Sequence, residues 1–394
     1  MRKLPPLPEP GQAALDHSRA LKRLIQAEIA AAGGWISFAH YMQLALYASG
    51  MGYYSGGAAK FGQAGDFVTA PEISPLFGKA MARQAAQVLG LIDGEADILE
   101  FGSGTAKLAL DLLLELENLG SLPGRYCILE LSADLRQRQR RLLEEHAAHL
   151  LPRVVWLERL PAEFTGLMLA NEVLDAMPVH LVAWRETGLF ERGVIFRDDE
   201  FRWMEHPLEG GELSAAAREL EPLVEAGAGA GYISEISLSA RRFIQSLGPI
   251  LQKGVVLLVD YGFGRSEYYH PQRSRGTLMC HYRHHAHDDP FYLPGLQDIT
   301  SHVDFSAIAD GAASLGLALL GYSTQAHFLI NCGITGILAQ VSPEHPRHYL
   351  PLVNQLQKLV SPAEMGELFK AIAFGRNIST PLLGFTSGDK SRLL

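Results

Sequence analysis

The stretch ADILEFGSGTAKLALDLLLELENLGSLPGRYCILE, residues 96–130, decides the fold. Residues 96–101 form a short apolar run, the length and composition of a buried strand. Gly102-Ser103-Gly104-Thr105 turns the chain. Leu108, Leu112 and Leu116 then recur one helical turn apart, which predicts an amphipathic helix over 107–119. Residues 126–131 make a second apolar strand, with Glu130 at its end. Strand, helix and strand at this spacing predict a parallel pair joined by a right-handed crossover.

The pattern continues outward. A charged helix is predicted over 133–149, and strands over 154–157, 167–170 and 255–259, the last ending at Asp260. The fold class is therefore α/β, a Rossmann-like parallel sheet. On the N-terminal side, Leu21, Leu24, Ile25 and Ile29 predict a helix over 13–32, stopped by Gly33-Gly34. Ser37 caps a second helix reaching Leu46, and a third is read over 80–89. The glycine-punctuated stretch between them, 50–78, is too aromatic for a flexible linker. An antiparallel meander is read at 180–184, 190–196 and 201–204, with turns at Thr187-Gly188 and Asp198-Asp199. Helices over 208–226 and 239–247 flank a glycine-rich break. A polar loop follows Asp260 to about residue 303, then a helix over 306–316 and closing strands over 317–322 and 326–330. The expected organisation is an N-terminal helical region and cofactor lid (1–90), a Rossmann-like core (91–178), an insertion of meander and helices (179–248), the second half of the core (249–340) and a helical tail (341–394).

Composition excludes several classes. The 394 residues suit one large domain with additions, or two domains, and the formal net charge is −9. The one dense basic patch, 136–141, reads as a helix face, so no nucleic-acid partner is expected. Cys127, Cys280 and Cys332 lie far apart without a CxxC pair, which disfavours a disulfide framework and points to a reducing compartment, the cytoplasm. No run approaches the roughly 20 apolar residues needed to span a bilayer, so no membrane insertion is expected. The histidine-rich run at 280–289 has neither HExxH nor paired CxxC. It reads as a polar surface loop, and no metal is expected. Oligomeric state stays open.

The chemistry lies at the sheet edge. In an open parallel sheet, ligands sit beyond the carboxyl ends of the strands where strand order reverses. Glycines there let the backbone approach a ligand, and the helix opening near Ala106 offers free N–H groups. Glu130, at the next strand tip, can accept both hydroxyls of a ribose. A dinucleotide fingerprint needs a third glycine at position 107, where Lys107 would crowd a pyrophosphate. The segment instead reads E-x-G-x-G, which resembles the first motif of the Rossmann-like methyltransferases, and that resemblance implies S-adenosylmethionine rather than NAD and an NAD-dependent oxidoreductase. Glu100 would face the cationic amino group of its methionine moiety. After the fourth strand, Asn171 can hold cofactor or substrate by its amide. Glu172 and Asp175 share a face if a helical turn begins there, and could clamp a guanidinium. The bland alternative has Asp175 capping a turn before Pro178.

Five strings together resemble a known family: GDFVTAPEIS (65–74), NEVLDAMPV (171–179), DYG (260–262), GTL (276–278) and DITSHVDF (298–305). The chain is similar to the MidA (DUF185-type) methyltransferases, the family of the mitochondrial complex I assembly arginine methyltransferase. The resemblance spans about 21–336. It implies a class I fold and methyl transfer that yields S-adenosylhomocysteine. For the mitochondrial relative it implies dimethylation of an arginine on a respiratory complex subunit, and hence a protein substrate here. By the same resemblance Gly65, Phe67 and Thr69 lie over the cofactor as a lid. By that resemblance Gly102, Gly104 and Glu130 line it; the residues' own positions add Glu100, Ser103, Leu131 and Asn171 to the cofactor side and Glu172 and Asp175 to the acceptor side. One departure is Ala106, where the family often has a third glycine. His302 and Asp304 are read as lining a substrate channel, and Trp184 and Trp203 as core. A cofactor-binding assembly factor without turnover is the competing reading.

Overall fold

The computed structural model describes residues 7–56, 69–225 and 231–394, and the 96–130 stretch lies in the middle of its larger sheet. That sheet comprises β1 (Asp97–Phe101), β2 (Tyr126–Leu129), β3 (Val154–Leu157), β4 (Phe164–Asn171), β5 (Leu251–Phe263), β6 (Val303–Asp304), β7 (Ala318–Thr324) and β8 (Phe369–Arg376). Its order is β3-β2-β1-β4-β5-β8-β7, with β6 paired to the end of β5. Neighbours from β3 to β5 are parallel, whereas β8 runs antiparallel to both β5 and β7. The chain leaves β1 toward β2 and β3, then returns to β4 on the other side of β1. Strand order therefore reverses between β1 and β4, and their carboxyl ends flank the crevice where such sheets bind ligands.

The chain divides into two compact units, Met1–Phe67, Asp175–Arg241 and Ser266–His302 in one, Val68–Leu174, Arg242–Arg265 and Val303–Leu394 in the other. The larger sheet belongs to the second unit. Its inner strands are buried almost throughout, as expected when helices cover both faces. Helix α1 (Pro75–Gly90) starts five residues before the predicted 80–89. Ser74 Oγ accepts from Leu76 N at 3.3 Å, and Pro75 fits the first turn, where no N–H is required. A Cβ on Gly78 would lie 2.5 Å from the Asp111 Cβ of α2 (Lys107–Asn118), so glycine sets the close approach of these two helices.

Two predictions about the sheet's far edge need correction. Residues 326–330 are not a strand. They belong to helix Gln325–Asn331, whose N-cap Thr324 accepts from His327 N at 3.3 Å. Buried Phe328 and Leu329 with exposed Ile330 mark a one-sided helix. Nor is 341–394 only helical. After helix Pro346–Val360 it supplies β8, which fits between β5 and β7.

The first unit contains a five-stranded antiparallel sheet. The predicted meander forms it with strands His180–Arg185, Gly188–Arg197 and Glu200–Pro207, joined by Ile36–Ser37 and by Tyr232–Ile236. Asp198 and Asp199 have φ of 53° and 61°, the left-handed pair a tight hairpin needs. Helices Gln12–Ala31 and Phe38–Tyr47 bury Leu21, Ile25, Phe38 and Tyr41 in this unit's core. Trp203 packs on Phe38 and Phe291, and Trp184 is buried, as read from the sequence. The 280–289 segment is not a surface loop. Met279–Tyr282 and His285–His287 form a hairpin turned by Arg283 and His284 (φ 47° and 62°), and Asp298–Thr300 pairs on its other side. Among the described residues, no helix is long and apolar enough to cross a membrane.

Candidate cofactor site

The turn after β1 is built from alternating left-handed residues. Gly102, Gly104 and Ala106 have φ of 63°, 52° and 67°. At Gly102 a Cβ would also come within 2.6 Å of Val173 Cγ2, so this position excludes a side chain twice over. Ala106 is fully buried and holds a conformation that suits glycine better, which is the physical meaning of the family departure at this position. Lys107 is tied to Asp111 one helical turn on.

Glu100 is 2 % exposed, and its Oε2 accepts from the hydroxyls of Ser103 and Tyr126, each at 2.8 Å. Burial pushes its carboxyl up to about 7, while the two hydrogen bonds oppose the rise. The folded protein thus holds a proton here that the unfolded chain releases near pH 4.5. Stability from this group is present below that pH and is lost as pH rises through about 7. Between pH 5 and 8, Glu100→Gln should therefore gain on wild type by on the order of 2–3 kcal/mol. Melting temperatures at both pH values check this, and parallel pH profiles would refute it.

Glu130, just past β2, is held by its own turn. Oε1 accepts from Ser132 N at 2.8 Å, and Oε2 accepts a long bond, 3.4 Å, from Gln139 Nε2. Burial raises its pKa, opposed by these bonds. Gln139 is a residue the sequence reading missed. It is fully buried, donates to Gly104 O at 3.0 Å and accepts from Trp156 Nε1 at 2.8 Å. One amide thereby couples the glycine turn to the acidic strand tip. Leu131 stands 74 % exposed beside them, an apolar platform at the strand end.

At the tip of β4, Asn171 donates to Glu172 Oε1 at 3.1 Å. Its own Oδ1 is buried with no hydrogen-bond partner among the described residues. Glu172 has φ of 53°, and Oε1 also accepts from Ala70 N at 3.1 Å. Thr69 occupies the N-cap of the short turn Ala70–Ile73, and Glu72 in that turn accepts from the Thr105 hydroxyl. The strings at 69–74 and 171–174 therefore meet at one edge. Gly65 and Phe67, the rest of the expected lid, lie outside the described residues.

No helical turn forms at 172–175, so Glu172 and Asp175 do not share a helix face. Asp260, buried at the end of β5, redirects the chain. Its Oδ2 accepts from Val173 N at 3.2 Å and Leu174 N at 2.9 Å, and Oδ1 accepts from Tyr261 N at 2.8 Å. Asp260→Ala should cost about 3 kcal/mol, because two buried N–H groups lose a charged acceptor. Denaturant midpoints check this, and an unchanged midpoint would remove Asp260 from the frame. Asp175 lies in the other unit, buried, with its carbonyl accepting from Ser301 N at 3.0 Å. Asp304 caps the helix that follows it. Its Oδ1 accepts from Ser306 N and Ala307 N at 3.0 and 3.1 Å. His302 N donates to Thr277 Oγ1 at 3.0 Å.

A switch point, a left-handed glycine turn and an acid at the next strand tip define a nucleoside-cofactor enzyme on a class I methyltransferase sheet. Residues 80–323 match the family described as "Putative S-adenosyl-L-methionine-dependent methyltransferase". The chain belongs to this family and is an S-adenosylmethionine-dependent methyltransferase. It is 50 % identical, with a TM-score of 0.94, to a COG1565 superfamily member from Burkholderia thailandensis bound to S-adenosyl-homocysteine, covering 99 % of this chain and 100 % of that one. It is 29 % identical to protein arginine methyltransferase NDUFAF7, mitochondrial, of Danio rerio, over 89 % of this chain and 85 % of the relative. The Mus musculus protein of that name is 30 % identical, over 86 % and 81 %.

The residues present fit S-adenosylmethionine. Glu100, once it gives up its proton, and Asn171 Oδ1, without a partner among the described residues, suit a cationic amino group, the lightly engaged Glu130 Oε2 suits ribose hydroxyls, and exposed Leu131 suits a purine face.

Proposed function

We propose that the methyl acceptor is an arginine of a protein substrate, and that a carboxylate, Glu172 or Asp175, acts on its guanidinium. The observation carrying this reading is the buried carboxylate of Asp175, in a chain whose relatives are named protein arginine methyltransferases. Bound cofactor supplies an electrophilic methyl group on a sulfonium. Transfer forms an N–C bond, breaks the S–C bond and releases one guanidinium proton. That proton is hard to lose in water, since arginine keeps its charge above pH 12. A carboxylate holding two of the nitrogens concentrates the charge there and leaves the third nitrogen nucleophilic. It then takes the proton or passes it to water. Three buried cysteines, none in a disulfide, support action in a reducing compartment such as the cytoplasm.

The test is labelling of a cell lysate by the full chain with S-adenosyl-[methyl-3H]methionine, followed by acid hydrolysis. Labelled methylarginine is the expected product. Label in other amino acids, or in small molecules alone, would overturn the arginine reading. Cofactor binding without any labelling would favour a binding factor.

A further inference from the structure

The first unit carries a second carboxylate that the acceptor reading does not use. Asp298 is 6 % exposed and sits on the strand Asp298–Thr300. Its two oxygens accept from the Tyr54 hydroxyl at 2.9 and 3.0 Å. The Tyr54 ring stacks on Tyr47, with centroids 5.4 Å apart and planes at 23°. Tyr47 in turn donates to Ala176 O at 2.9 Å, next to Asp175, whose carbonyl accepts from Ser301 N. Both tyrosines are half-buried, while Asp175 and Asp298 lie deeper. Their phenols are shifted upward, by burial first and then by these two aspartates.

A separate observation comes from Thr300. Successive side chains of a strand alternate between faces, so Thr300 shares the face of Asp298 while Ile299 enters the core. Thr300 is 3 % exposed, and its Oγ1 is buried with no hydrogen-bond partner among the described residues. Leaving a buried hydroxyl so is unfavourable, and a bound polar group would offset the cost. The unit thus places an aromatic pair, two buried carboxylates and an unsatisfied hydroxyl together. A guanidinium matches all three, because it stacks on rings, pairs with carboxylates and carries five N–H donors.

We propose that Tyr47, Tyr54, Asp175, Asp298 and Thr300 form the subsite that takes the cationic side chain of the acceptor, with Asp298 and Tyr54 setting specificity for guanidinium. This rests on the arginine reading above. Asp298 supplies charge, Tyr54 fixes that carboxylate and offers its ring, and Thr300 accepts one N–H.

Calorimetry on the full chain saturated with S-adenosylhomocysteine tests it, with acetyl-Gly-Arg-Gly-amide and its neutral citrulline counterpart as probes. The arginine peptide should bind, and the citrulline peptide should bind about tenfold more weakly or worse, roughly the loss of one charge-assisted contact. Asp298→Asn should weaken the arginine peptide by a similar factor while S-adenosylhomocysteine affinity stays within about twofold of wild type. Thr300→Val should weaken it several-fold, and decides the matter if Asp298→Asn melts early. Equal binding of both peptides, binding of neither, or wild-type affinity in a variant that melts normally would overturn the subsite. Lysate labelling separates the two proposals. Methylarginine with unchanged peptide binding in Asp298→Asn removes the subsite and keeps the arginine reading. No methylarginine removes that reading.

Discussion

Glu130→Ala should lower affinity for S-adenosylmethionine about a hundredfold while leaving the protein folded. The carboxylate is pre-positioned by Ser132 N and by Gln139, and its Oε2 has capacity to spare. Two ribose hydroxyls would donate charge-assisted bonds, worth about 1.5 kcal/mol or more apiece. Losing roughly 3 kcal/mol is about two decades in dissociation constant. Among the described residues, the Glu130 carboxylate accepts no bond from another strand's backbone, so its loss leaves the sheet intact. Titration calorimetry gives the answer directly. Wild-type affinity in this variant would move the ribose away from the tip of β2. Gln139→Ala should show a milder form of the same defect, since it frees both Glu130 and the Gly104 carbonyl.

Asp175→Ala should keep cofactor affinity and lose methyl transfer by about two to four orders of magnitude, the range for removing a general acid or base. The expected split is a fall in kcat with cofactor binding unchanged. Asp175→Asn discriminates charge from shape. It preserves volume and hydrogen bonding, yet it cannot receive a proton or concentrate positive charge on one edge of a guanidinium. A variant that transfers normally would make Asp175 a framework residue, as the alternative of a capped turn before Pro178 holds.

Much of this was legible because the core obeys simple rules. Short apolar strands, the Gly102-Ser103-Gly104 turn and the Leu108, Leu112, Leu116 stripe are local signals, and they locate the switch point. The far edge was not legible. β8 is buried on both faces, so it shows no alternation, and its partners lie more than a hundred residues away along β5. Helix Gln325–Asn331 is a short apolar run, which periodicity cannot assign by itself. The Thr324 cap was the available clue. Gln139 was hidden in a charged helix, yet Gln139, Leu143 and Ala147 form a buried stripe four residues apart. A glutamine on such a stripe is the signal of a buried polar contact. Asp260 was visible as a strand end, but its role depends on the left-handed turn at Glu172, which nothing in the local sequence announces. The helical turn that would have set Glu172 and Asp175 on one face does not form there.

The central claim is that the carboxyl edge of β1, β2 and β4 binds S-adenosylmethionine or its product. Thermal denaturation of the full chain with S-adenosylhomocysteine, and separately with NAD, tests it most directly. At a hundred times its dissociation constant the methyltransferase product should stabilise the protein by about 2.7 kcal/mol, and NAD should leave the melting temperature unchanged. A shift with NAD, or none with S-adenosylhomocysteine, would contradict the account.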